Sequence, residues 1–113
     1  MSRFLPLSPA TLHILLALTA ADRHGYGIMQ EVARQSEGQY KLGPGTLYDN
    51  LQKLLDQKMV EETRRGGAGD DPRRRYYRLT ERGRKVLSAE VVRLEGVVRE
   101  AKLNLVPARP RRA

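Results

Sequence analysis

KLGPGTLYDNLQKLLDQKM, residues 41–59, decides how the rest of the chain is read. Leu47, Leu51, Leu54 and Leu55 recur at i, i+4, i+7 and i+8, the spacing of one helical face. Gly43-Pro44-Gly45 puts a proline in the first turn, where a missing N–H costs nothing. At about 100° per residue, Gly45, Asp49, Gln52, Lys53 and Asp56 point away from the leucines, with Thr46 and Asn50 on one flank. A short helix with a small-residue start and a hydrogen-bonding outer face fits a DNA major groove.

Upstream of it, two more helices are expected. Ser8-Pro9 is an N-cap followed by proline at the first helical position, and Leu7 can staple onto Leu12. The first helix then covers 9–21, with Leu12, Leu15, Leu16 and Thr19 on one face and Ile14 and Leu18 widening it. Residues 1–7 read as a loose arm and Asp22-Arg23-His24-Gly25 as a turn. The second helix covers 25–36 behind the stripe Ile28, Met29, Val32, Ala33, and Glu37-Gly38 stops it.

Downstream, the period changes. Residues 59–65 and 73–80 have strand character, the second with Tyr77 and Leu79 on one face and Tyr76 and Arg78 on the other. Gly66 to Pro72 between them reads as a flexible loop, so the pair is a β-hairpin with a mobile tip. Thr80 can cap a last helix over 81–106, with Glu81 at its positive end. Its apolar positions Leu87, Val91, Leu94, Val98, Ala101 and Leu105 average 3.5 residues apart, a seam for a second helix. Val86, Val92 and Val97 broaden the seam, Pro107 ends the helix, and 107–113 read as a disordered basic tail. The order ααα-β-β-α describes a mainly α chain with a small β-hairpin: a winged helix-turn-helix domain over 1–80 and a C-terminal dimerisation helix.

Composition narrows the function. The chain has 113 residues, one domain plus an extra element, and a net charge of +8. A pI of about 10.3 favours a polyanionic partner. From Arg64 to Lys85 nine residues are basic and three acidic, which concentrates the excess on the hairpin. Guanidinium groups pair bidentately with phosphate oxygens, so this hairpin is placed to touch a nucleic-acid backbone. The 5 tyrosines all precede residue 80, whereas 1 phenylalanine and no tryptophan argue against a single-strand stacking platform.

Enzyme and metal chemistry find no support. Glu61-Glu62 and Asp70-Asp71 are adjacent pairs that would not face each other across a substrate. His13 and His24 have no companion at ligand spacing, and the glycines at 43, 45 and 66–69 lack a following Gly-Lys-Ser/Thr. No cysteine is present, so thiolate chemistry and disulfides are excluded. The apolar stretch 14–21 is too short to span a bilayer and poorly flanked for a signal peptide, so cytoplasm is the expected location.

Three motifs then carry a resemblance. His24-Gly25-Tyr26-Gly27-Ile28, Gly45-Thr46-Leu47-Tyr48 with Leu51 and Leu54, and Arg75-Tyr76-Tyr77-Arg78-Leu79-Thr80 with Gly83 resemble the PadR family of transcriptional regulators, over roughly 7–95. The resemblance implies a winged helix, a homodimer through the C-terminal helix and repression at a palindromic operator, in the manner of the shorter members. Family members often carry proline or a small residue where this chain has Asp49, and a carboxylate there suits cytosine N4 better than phosphate.

Thr46, Asp49, Asn50 and Lys53, with Gly45 at the helix start, are therefore expected to face the major groove. Tyr26, Lys41, Tyr48, Arg64, Arg65, Arg73, Arg74 and Arg75 are expected to hold the DNA backbone. The expected partners are double-stranded operator DNA and a second copy of the chain, with a small-molecule effector near the seam and no cofactor, metal or membrane. A small-molecule sensor or a protein-binding winged helix is the alternative. A module binding only protein would not need Arg73, Arg74 and Arg75 on one hairpin.

Overall fold

The computed structural model describes residues 2–64 and 74–106. After a 3-10 turn at Ser2–Phe4 come α1 (Pro9–Ala17), β1 (Arg23–His24), α2 (Gly25–Gln35), α3 (Pro44–Asp56), β2 (Val60–Thr63), β3 (Tyr76–Leu79) and α4 (Glu81–Asn104). The expected mobile hairpin tip and basic tail lie outside the described residues.

Ser8 Oγ accepts from the Thr11 N–H at 3.2 Å, and Pro9 opens α1 as its chemistry requires. The helix is apolar all round because α2, α3 and α4 all pack on it; Ile14 and Leu15 are fully buried. It ends at Ala17 rather than Ala21. Arg23 Nε donates to the Ala17 carbonyl at 2.7 Å and Thr19 Oγ1 to that of Leu16 at 2.8 Å. Those carbonyls are thereby satisfied without another helical turn.

The expected turn at Asp22–Gly25 contains a strand. Arg23 and His24 pair antiparallel with Tyr77 and Tyr76, so the sheet has three strands in the order β1-β3-β2. Covering β3 from both sides buries Tyr76 as well as Tyr77, although Tyr76 shares the face of the exposed Arg78. The rings of His24 and Tyr76 meet edge-on, 5.3 Å apart.

Two helices end on a left-handed residue. Glu37 (φ 53°) and Gly38 (φ 77°) follow α2, and the Gly38 N–H donates to the Ala33 carbonyl at 2.8 Å. Lys58 (φ 64°) does the same after α3, where the Met59 N–H reaches the Leu54 carbonyl at 2.9 Å. That reversal drops Met59 into the core and leads straight into β2.

Thr80 caps α4 by accepting from the Gly83 N–H at 3.0 Å and donates to the Lys58 carbonyl at 2.7 Å. Gly83 lies against the Met59 carbonyl with no room for a Cβ. Val86 and Leu87 are buried in the same core as α1–α3, so Leu87 is an internal residue of the protomer rather than part of an outward seam. What is left of the expected seam lies after Glu90, where Val91, Val98, Ala101 and Leu105 are exposed and Leu94 half-buried. The N-terminal arm is not loose, since Phe4, Leu5 and Leu7 pack on the core.

Glu90 is the buried charge of α4. Hydrogen bonds from Arg93 and then the Leu7 N–H hold its carboxyl below the ordinary value of 4.5, against burial, which alone would raise it. A depressed folded-state pKa gives stability that is fully present above 4.5 and lost as pH falls through the folded value. Thermal melts between pH 6 and about pH 3 should therefore show an acid loss in the unmodified chain that is smaller in Glu90→Gln. Equal acid loss in both would dismiss this carboxyl as its source. Among the described residues, no helix is long and apolar enough to cross a membrane and no acidic or histidine cluster could hold a metal.

Candidate nucleic-acid interface

The start of α2, the start of α3 and the end of the wing converge on one cleft of about 480 Å³. Tyr26 and Tyr48 stand on its two helical walls, and Arg74 and Arg75 enter from the strand side. Four residues expected to hold a DNA backbone thus share one hollow. His24, Gly25 and Tyr77 complete the lining, and no carboxylate is among the lining residues.

Local chemistry explains how the cleft forms. His24 caps α2, its Nδ1 accepting from the Gly27 N–H at 3.1 Å, and its Nε2 lies 3.0 Å from Arg74 Nη1. Gly25 follows at the helix start, where a Cβ would collide with the Tyr48 hydroxyl. Only glycine lets that phenol lie across the first turn of α2, which ties α3 to α2 at the mouth of the cleft. Burial, with Glu62 nearby, pushes the Tyr77 phenol up from its ordinary value, so it stays protonated and can donate. Arg75 lies 3.8 Å from Glu62, a loose exposed pair of small energetic weight.

The outer face of α3 is divided. Gly45, Thr46, Asp49 and Lys53 are exposed, as is Lys41 just before the helix. Asn50 is half-buried and turned toward α1: its Oδ1 accepts from Thr11 Oγ1 at 3.1 Å and its Nδ2 donates to the Thr46 carbonyl at 2.8 Å. Asn50 and Lys53 line a second hollow, of about 270 Å³, together with Arg3, Ser8 and Thr11. Arg64 is exposed after β2, while Arg65 and Arg73 lie outside the described residues. Arg78, counted in the wing's positive charge, is taken up by Asp22 at 3.5 Å, Glu61 at 3.4 Å and Thr63 at 3.1 Å.

Sequence reasoning missed His24 and Tyr77. Histidine is not among the usual capping residues, and Tyr77 reads as an ordinary inward strand position. The signal for His24 lay in its place directly before a glycine-rich helix start.

Residues 14–89 match the transcriptional regulator PadR-like family. The transcriptional regulator Rv3488 of Mycobacterium tuberculosis is 38% identical over 90 residues, 79% of this chain and 78% of its own length. A PadR family transcription regulator from Clostridium difficile superposes with a TM-score of 0.73 at 20% identity, over 87% of this chain and 99% of that one. Bacillus subtilis PadR, in a crystal structure with operator DNA, superposes with a TM-score of 0.64 at 20% identity, over 77% of this chain and 49% of that one. With its family match running from α1 into α4, this chain belongs to the PadR-like family of transcriptional regulators.

Proposed function

We propose that the chain acts as a dimeric repressor that binds a pseudo-palindromic operator in double-stranded DNA. The observation that carries this reading is the cleft between α2, α3 and the wing, where two guanidinium groups and three phenols converge without a lining carboxylate. Arg74 and Arg75 suit phosphate oxygens bidentately, and Tyr26 and Tyr48 can donate to them beside the positive end of α2. With that cleft on the backbone, the exposed Thr46, Asp49 and Lys53 of α3 meet base edges in the adjoining major groove. Asn50 supports α3 from the α1 side. Bacillus subtilis PadR, a chain of similar fold, forms a complex with operator DNA, which supports DNA binding as the activity.

In this reading Val91, Leu94, Val98, Ala101 and Leu105 pair with the same residues of a second copy, and the protein works in the cytoplasm. The pairing fixes the distance between half-sites. A small-molecule effector would act at this seam, because a ligand changes DNA affinity only by binding competent and incompetent spacings differently.

Fluorescence anisotropy on the DNA upstream of the chain's own gene and on a scrambled duplex, across several salt concentrations, tests the reading. Arg74→Ala with Arg75→Ala should weaken both duplexes alike and make the log–log salt slope shallower by about 2 units per protomer. An unchanged slope would remove the wing from the DNA. No salt-dependent binding to any duplex by the unmodified chain would sink the proposal.

A further inference from the structure

Glu90 is 1% exposed and is not among the residues lining the cleft, and a buried charge is costly unless it is well paired. Arg93 Nε and Nη2 donate to its two oxygens at 2.6 and 3.0 Å. The Leu7 N–H donates to Oε2 at 3.1 Å, joining α4 to the N-terminal arm across 83 positions of sequence. A leucine of similar volume would fill this place without desolvating a charge, so stability alone does not account for a carboxylate here. What charge-assisted hydrogen bonds add is direction, which apolar contact lacks.

Glu90 is also the last buried residue of α4. Residues 91–104 continue past it for about 21 Å, at 1.5 Å per residue. A tilt of about 10° at Glu90 would displace the far end by about 4 Å, close to the 3.4 Å rise of one base pair. Small angular freedom at this point thus becomes a whole step of DNA register.

We propose that Glu90 is a positioning residue for operator choice: held in place by Arg93 of the same helix, it locks α4 to Leu7 and so sets the spacing between the two half-sites. This rests on α4 being the dimer seam. Phe4 gives the arm a second fastening, lying under Arg3 at 5.0 Å and Arg82 of α4 at 5.4 Å, so losing the Glu90 bonds loosens the joint without releasing the arm.

The test offers the full chain, Glu90→Leu and Glu90→Gln to a pool of randomised duplexes and sequences what each retains, with a melting curve on each protein. The unmodified chain should enrich an inverted repeat of one spacing. Glu90→Leu should enrich the same half-site over several spacings, its preference over a spacing one base pair away falling about tenfold. Glu90→Gln keeps an acceptor for Leu7 but loses the charge, and should fall between. The same sharp spacing in both variants overturns the proposal while leaving the dimer intact. If Glu90→Leu fails to fold, an unchanged spacing in Glu90→Gln overturns it alone. No inverted repeat from the unmodified chain overturns the dimer reading, and the proposal with it.

Discussion

Replacing Gly83 by alanine should lower stability by about 3 kcal/mol, near the upper end of what one extra methyl costs in a packed interior. The new Cβ would overlap the Met59 carbonyl and press on Leu79. Neither can yield easily. The Met59 carbonyl accepts from the Thr80 N–H at 3.1 Å, and Leu79 is buried and paired with Val60 of β2. Alanine gains about 1 kcal/mol of helix propensity over glycine, too little to reverse the sign. In a domain this size the loss should appear as a fall of roughly 15 °C in melting temperature. Gly96, on the same helix with nothing within 4 Å of a Cβ, is the control, and Gly96→Ala should gain about 1 kcal/mol. Matching losses at both positions would show that α4 does not pack through Gly83. A loss at Gly96 that grows on dilution would instead put a partner chain over it.

Leu94→Glu with Val98→Glu should turn the proposed dimer into a folded monomer at micromolar concentration. Both side chains lie beyond Glu90 and line an open groove of about 430 Å³ with Val91, rimmed by Glu95, Arg99 and Lys102. Fully burying such side chains is worth about 1.5–3 kcal/mol each, and a two-fold seam counts each one twice. Four facing carboxylates would both forfeit that burial and repel one another. The domain core contains neither position, so the monomer should keep its fold. With one half-site engaged at a time, operator affinity should fall about 10²–10⁴-fold, the loss of effective concentration. Sedimentation and anisotropy on the same samples read both effects. An unmodified chain that sediments as a monomer would remove the seam from the function.

The elements that could be read in advance are those whose signals are local. Gly43-Pro44 and the leucine spacing place α3, and Thr80 with the 3.5-residue repeat places α4. What could not be read depends on partners distant in sequence. β1 is two residues long, too short for any periodicity, and exists because β3 lies beside it. The end of α1 is set by Arg23 reaching back to Ala17, while residues 18–21 on their own could have continued the helix. Leu87 and Val91 belong to one unbroken stripe, yet the first is 5% exposed and the second 43%, because the core ends between them. Glu90 looks like any solvated charge in a charged helix until Leu7 is found against it. In the cleft, tyrosines and arginines are recognisable by residue type, whereas His24 and Tyr77 enter through tertiary placement.

A neutral imidazole has one lone pair in the ring plane to share, its other nitrogen carrying a proton. Two donors point at His24: the Gly27 N–H at Nδ1 and the Arg74 guanidinium at Nε2. A neutral ring can accept only one at a time, so the tautomer decides which of these two contacts is a hydrogen bond. An anion drawing Arg74 away would leave the lone pair to Gly27 and the Nε2 proton facing the anion. The imidazole ¹⁵N shifts with and without DNA would show the exchange. A wing arriving on a phosphate would thereby tighten the helix beneath it through a change of tautomer, one proton leaving Nδ1 for solvent as another is taken up at Nε2.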